Sequence, residues 1–176
     1  MSWDRFISGT KKPNQREDFF IYKGASMRKI SEIMSTNIIS ALPETSLIEI
    51  SKLMVKHNCG EIPLVNNMNQ QIVVGIITDR DIVCRTLGQG KNPMELSARD
   101  CMTTQVVMAD VSMSVSDVII LMRDNKIRRI PVVDKDDKLT GLISQTDILQ
   151  SSNDKEVVQM VHELSNAIDS PPSVIH

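Results

Sequence analysis

Two polar pairs are the residues of this chain best placed to do chemistry: Thr78-x-x-Asp81 and Ser144-x-x-Asp147. In each, a hydroxyl is followed three residues later by a carboxylate. The hydroxyl can donate one hydrogen bond and accept others, and the carboxylate offers two oxygens to donors. Each pair closes an apolar run, Gly75-Ile76-Ile77 or Gly141-Leu142-Ile143. The polar groups therefore stand at a helix mouth beside a buried strand, where the first backbone N–H groups favour anions. The same spacing also makes a capping box with Asp in place of the usual Glu or Gln. Either pair would start a helix with no ligand present. Capping and ligand binding are both open at this point, and one does not exclude the other.

The pairs recur because the chain is duplicated. Residues 75–82 read GIITDRDI and residues 141–148 read GLISQTDI. Met34 corresponds to Met102, and Ile62-Pro63-Leu64-Val65 to Ile130-Pro131-Val132-Val133. A repeated unit implies a two-fold scaffold with two related clefts, and so ligand binding between repeats rather than one catalytic centre.

Each copy has the same predicted elements. Residues 27–34 and 97–102 form short helical lead-ins, the second started by Ser97 and Asp100. Residues 37–40 and 105–108 form short strands. An amphipathic helix follows. In the first copy Ser46-x-x-Glu49 is a capping box before Leu47, Ile50, Leu53 and Met54; in the second, Ser114 and Asp117 precede Val118, Leu121 and Met122. Residues 62–65 and 72–77, then 130–133 and 139–143, pair as hairpins across Asn- and Asp-rich turns. A last helix starts at Thr78 or Ser144. The predicted domains are an N-terminal arm (1–26), repeat 1 (27–90), repeat 2 (91–152), and a C-terminal helix and tail (153–176). In the tail, Asn153 caps a helix striped by Val157, Val161, Leu164 and Ile168 and stopped by Pro171-Pro172. Such a stripe packs on the parent body or on a dimer partner.

Composition removes several functions. A net charge of −2 and a pI near 5.9 leave no overall basic footprint for nucleic acid. The only aromatic residues, Trp3, Phe6, Phe19, Phe20 and Tyr22, all precede the repeats. The duplicated body thus has no stacking platform for single strands. No apolar run is long enough to span a bilayer. Charges at Asp4, Arg5, Lys11 and Lys12 break any signal-peptide core. Three cysteines without framework spacing suggest reduced thiols in a cytoplasm. Cys84 and Cys101 read as buried and inert. His57-x-Cys59 lacks a second ligand pair for zinc, and His57 suits the end of its helix. No catalytic residue, metal ligand or cofactor is expected, since G-x-S-x-G, Walker A and dinucleotide glycine motifs are all absent.

The tandem order of Met34 or Met102, a capped helix, IPLV or IPVV, and GIITDRDI or GLISQTDI resembles a pair of CBS domains, the Bateman module, over residues 27–150. The resemblance implies an α+β fold of two βαββα repeats, packed sheet-to-sheet about a pseudo-two-fold axis. It implies clefts that bind adenosine-containing ligands (AMP, ADP, ATP or S-adenosylmethionine), a flat homodimer, and regulation of a partner protein. Thr78, Asp81, Ser144 and Asp147 would then hold ribose and phosphates, because a carboxylate can accept both hydroxyls of a ribose diol. Arg128 and Arg129, just before Ile130-Pro131, become phosphate candidates, as does Arg80. Repeat 1 has Gly60-Glu61 in place of the two arginines and repeat 2 has Thr146 in place of Arg80, so the clefts should differ in charge. The base would lie against Ile38, Ile39, Val106, Val107, Ile62, Pro63, Ile130 and Pro131. The rival reading is a ligand-free dimeric scaffold on which the aromatic arm and last helix carry a partner.

Overall fold

Alternating apolar residues and Asn- or Asp-rich turns give each repeat one hairpin, around which its helices are built. The computed structural model describes residues 28–151 and 155–169. The arm, the Asn153 cap and the Pro171-Pro172 stop lie outside the described residues. In repeat 1, β1 (Glu61–Val65) pairs antiparallel with β2 (Val73–Thr78), placing Ile62 opposite Ile77 and Glu61 opposite Thr78. The turn is held by Asn66, whose Oδ1 accepts from the N–H groups of Asn67 (2.8 Å) and Ile72 (3.0 Å). In repeat 2, β3 (Ala109–Asp110), β4 (Arg129–Val133) and β5 (Leu139–Ser144) form a sheet in that order. There Asp134 does the work of Asn66, accepting from Asp136 N–H (2.9 Å) and Lys138 N–H (3.1 Å).

The capped helices form where the spacing places them. In repeat 1, α1 (Leu47–His57) buries Leu47, Ile50 and Met54 and ends with Lys56 and His57 in its last turn. Ser46 accepts from Glu49 N–H at 3.2 Å, but only this half of the expected capping box is made. After the hairpin comes α2 (Asp79–Arg85). In repeat 2, α3 (Val115–Asn125) starts with a full box of Ser114 and Asp117, and α4 (Gln145–Ser151) follows β5. The final helix, α5, runs Lys155–Asp169.

Two expectations change. The lead-ins are single 3-10 turns, Ile30–Glu32 and Ala98–Asp100, whose first N–H groups find tertiary acceptors: Ile30 donates to Met113 O (3.0 Å) and Ala98 to Thr45 O (2.8 Å). The predicted strands at 37–40 and 105–108 are not ladders. Pairing falls on either side of them, at Ser35 and Thr103 before the segments, and after them at Ala41, which bridges Leu64, and at β3. Alternating residues mark an extended chain but not where it meets a sheet edge.

Contacts divide the described chain into two compact units that do not follow the repeats. One takes the residues up to Thr36, Val107–Val132 and those from Gly141 onward; the other takes Asn37–Val106 and Val133–Thr140. The cause is an exchange of lead-ins. Ser35, from the start of repeat 1, exchanges two 2.9 Å backbone hydrogen bonds with Leu142 of repeat 2. Thr103, from the start of repeat 2, exchanges bonds of 2.8 and 2.9 Å with Ile76 of repeat 1. The exchange also explains the glycine of each octapeptide. A Cβ on Gly141 would meet Met34 Cγ at 3.0 Å, and one on Gly75 would meet Met102 Sδ at 2.9 Å, so each methionine needs a residue without a side chain beneath it.

The cores follow the units. In the first, Ile30, Val118, Ile119, Met122, Ile130 and Ile143 pack with Val157, Met160, Val161 and Leu164 of α5, which lies on α3 and α4. The apolar stripe of the last helix therefore serves its parent body, with Ile168 half-buried at its end. In the second, Leu47, Ile50, Met54, Ile62, Leu64, Ile77, Ala98 and Cys101 form the core. Among the described residues, this unit has only short 3-10 turns besides α1 and α2. The outer face of α1 and α2 carries a shallow hollow of about 510 Å3 along Ile48, Ser51, Lys52, Val55 and Met94, with Val55 84% exposed.

Candidate functional site

Both predicted hydroxyl–carboxylate pairs form closed capping boxes. In repeat 1, Asp81 Oδ2 accepts from Thr78 N–H (3.0 Å) and Thr78 Oγ1–H (2.7 Å), while Asp81 N–H donates to Thr78 Oγ1 (3.0 Å). In repeat 2, Asp147 Oδ2 accepts from Ser144 N–H (2.8 Å) and Ser144 Oγ–H (2.6 Å), and Asp147 N–H donates to Ser144 Oγ (3.1 Å). The β-to-α junction produces both: the last strand residue is extended, so its hydroxyl can turn back over the first helical turn. The capping role is thus filled. It uses one oxygen of each carboxylate and leaves the other for a further donor.

That other oxygen separates the two copies. At the end of α2, Arg85 brings Nη2 to 3.1 Å from Asp81 Oδ1. Its guanidinium is held elsewhere too, with Nη1 donating to Cys101 O (2.7 Å) and Met102 O (2.9 Å) and Nη2 to Thr103 Oγ1 (3.0 Å). The carbonyls it grips belong to the exchanged lead-in, so Arg85 ties the helix to the segment beneath Gly75. In repeat 2 the corresponding residue is Ser151, whose Oγ donates to Ile148 O (3.0 Å). Among the described residues, none donates to Asp147 Oδ1. Sequence reasoning missed Arg85. The signal was present as an Asp and Arg four apart on one helix, a pairing distance on a helical surface, matched by Asp and Ser in the second copy.

Different charged residues adjoin the two mouths. Gln145 N–H donates to Arg128 O (2.9 Å), which fixes Arg128 against the start of α4, with exposed Arg129 next in β4. In repeat 1, Asp79 N–H donates to Gly60 O (3.0 Å) and Glu61 lies opposite Thr78. Two arginines thus adjoin Ser144, while Thr78 has Glu61 and Asp79 beside it. Arg80 is exposed on α2, its backbone N–H bound to Asp79 Oδ1 (2.7 Å).

The proposed base walls are mixed. Ile38, Ile39 and Val106 are half-buried in the second unit, and Val107 is half-buried against the core of the first. Ile62 and Ile130 are fully buried core residues, and Pro63 and Pro131 are buried beside them. The 510 Å3 hollow and a second of about 460 Å3, lined by Gly60, Asp79 and Val83, include neither Thr78 nor Asp81.

The thiols divide. Cys101 is buried, and burial pushes its pKa upward. Cys84 is exposed, contrary to expectation: the short α2 presents residues 83 and 84 outward while Ile82 turns toward the core. Nearby, Ser97 donates to Asp100 Oδ2 from its N–H and its hydroxyl, both at 2.8 Å, which holds that carboxyl below its ordinary range. Among the described residues there is no group of three or more His, Cys, Asp or Glu arranged to hold a metal ion, and no helix is long and apolar enough to cross a membrane.

Comparison with known proteins agrees with this layout. The family described as CBS domain matches the chain twice, at residues 30–86 and 98–154. Uncharacterized protein MK0525 of Methanopyrus kandleri is 40% identical over 126 residues, covering 70% of this chain and 63% of that protein, so the chain spans a little under two thirds of that relative. The CBS domain-containing protein YhcV of Bacillus subtilis is 34% identical over 73% of this chain and 89% of its own length. Among solved structures, the CBS domain pair of protein MJ0100, in complex with 5'-methylthioadenosine and S-adenosyl-L-methionine, is 29% identical with a TM-score of 0.63, covering 72% of this chain and 96% of that one.

Proposed function

This chain belongs to the CBS-domain family, and from that premise we propose that it is a regulatory module that binds an adenosine-containing ligand, of the kind of AMP, ADP, ATP or S-adenosylmethionine, and passes its presence to a partner protein. The observation that carries the proposal is the Ser144–Asp147 pair: a carboxylate fixed in orientation by two hydrogen bonds to one oxygen, with its other oxygen unclaimed among the described residues, beside an arginine-bearing strand. Such a carboxylate can accept a hydrogen bond from a sugar hydroxyl without reorganising, and nearby guanidinium groups suit phosphate or carboxylate. The adenosine compounds held by the related MJ0100 pair support the ligand class. No step of bond making or breaking is needed. The ligand acts by binding one arrangement of the chain better than another, which shifts the population a partner meets. The setting is cytoplasmic, where such ligands are abundant.

Thermal melting with each of AMP, ATP and S-adenosylmethionine at millimolar concentration tests this. A ligand that binds only the folded chain raises the midpoint, by about 2.7 kcal/mol of stabilisation at a hundredfold excess over Kd. No rise with any of them would overturn the reading.

The scaffold reading has one observation in its favour, the open face of α1. Glu49, Lys52 and Lys56 lie in one helical row beside exposed Val55. A second copy laid antiparallel would set Glu49 of one chain against Lys56 of the other and cover both valines. On this reading the chain is a homodimer, and Val55→Glu gives a monomer by light scattering. An unchanged mass would remove this face from the interface.

A further inference from the structure

The two helix mouths are built from matching octapeptides, yet one carboxylate carries an ion pair from within the chain. We infer that the module takes one ligand per chain, at Asp147, and that Arg85 fills in repeat 1 the place a ligand hydroxyl takes in repeat 2. The inference rests on the functional reading above and deepens it.

Three observations converge. Asp81 is engaged at both oxygens, Oδ2 by hydrogen bonds from Thr78 and Oδ1 by an ion pair with Arg85 at 3.1 Å, and its side chain is only 17% exposed. Arg85 is not a loose surface partner, because two backbone carbonyls and the Thr103 hydroxyl hold the same guanidinium. A ligand hydroxyl at Asp81 Oδ1 would have to compete with an ion pair whose cation is already held in place, and would meet a carboxylate whose charge is largely balanced. In repeat 2, Ser151 replaces the arginine, and its hydroxyl is turned to Ile148 O rather than to Asp147. The surrounding charge runs the same way. Glu61, Asp79 and Arg80 give the surroundings of Thr78 mixed charge, whereas two arginines, Arg128 and Arg129, stand by Ser144. Arg85 is therefore a specificity-determining residue. Its fork closes one of two duplicated sites and ties α2 to the lead-in that runs beneath Gly75.

Titration calorimetry of the whole chain with ATP, AMP and S-adenosylmethionine tests this through stoichiometry. Wild type is expected to bind one equivalent. Asp147→Asn should weaken binding about tenfold to a hundredfold, the loss of a charged hydrogen bond. Asp81→Asn should leave Kd within about twofold, the scatter of a change outside a site. Arg85→Ser, which gives repeat 1 the residue of repeat 2, should add a second, weaker equivalent. Because Arg85→Ser also removes contacts to three residues of the lead-in, the reciprocal Ser151→Arg is measured beside it. It should weaken the Asp147 site while Asp81 and its surroundings stay untouched. Two equal sites in wild type, or a greater loss in Asp81→Asn than in Asp147→Asn, would overturn the inference while leaving the ligand-binding function intact. Failure of wild type to bind any of the three probes would overturn the functional reading, and this inference with it.

Discussion

Repeat 1 and repeat 2 use one sequence plan and finish it differently. In repeat 2 the outer face of the helix pair is covered by α5, and its helices put Ile119 there, 2% exposed. In repeat 1 the matching position is Ser51, exposed, and among the described residues no further α-helix covers the face. At the strand ends, repeat 2 leaves a carboxylate oxygen open, while repeat 1 closes its own with Arg85. Duplication thus supplied two equal frames, and substitutions at a few positions made one a covered body with an open polar mouth and the other an open face with a closed mouth. The lesson is that a motif's identity does not settle its role: Thr78-x-x-Asp81 and Ser144-x-x-Asp147 make the same box, and the residue one turn further on separates them.

The comparison breaks most sharply if the two faces are exchanged. Ile119→Ser should destabilise the chain by about 3–5 kcal/mol, since it empties buried volume and leaves a hydroxyl in an apolar core. Ser51→Ile should stay within about 0.5 kcal/mol, as expected of an exposed change. Urea unfolding of both variants measures this, and equal losses would mean the repeat 1 face is covered after all. Smaller, and expected to be alike, are the two hydroxyl caps. Thr78→Ala and Ser144→Ala should each cost about 0.5–2 kcal/mol in the same experiment. Only Ser144→Ala should also weaken ligand binding, so parallel behaviour in both assays would erase the difference between the mouths. The smallest effect is on chemistry rather than stability. Near neutral pH, maleimide should label Cys84 and leave Cys101 unmodified in the folded chain, because Cys101 is buried and its raised pKa holds it as the less nucleophilic thiol. Peptide mapping after a short exposure checks it, and modification of Cys101 at the rate of Cys84 would contradict the packing described.

Much of this was legible along the chain. The hairpins appear where β-rich runs flank Asn66 and Asp134, and α1 and α3 start at Ser46 and Ser114, because turn and cap chemistry acts over three or four residues. The Thr78 and Ser144 boxes were readable for the same reason. What failed was non-local. The segments at 37–40 and 105–108 read as strands, but pairing falls on either side of them, at Ser35 and Thr103 and then at Ala41 and Ala109. Cys84 read as buried, yet the brevity of α2 turns it outward. Arg85 was passed over because its three other acceptors come from Cys101, Met102 and Thr103, a lead-in far along the chain.

The amino-acid order alone determined the duplication, the family, the hairpins and capped helices, and the two hydroxyl–carboxylate boxes, since all of these rest on periodicity, capping and local spacing. Tertiary structure decided which lead-in serves which repeat, why Gly75 and Gly141 carry no side chain, where the last helix lies, and which of two identical boxes keeps an oxygen to offer. Those outcomes depend on backbone and side-chain groups distant in sequence meeting within about 3 Å, the reach of a hydrogen bond, and no local pattern carries that information.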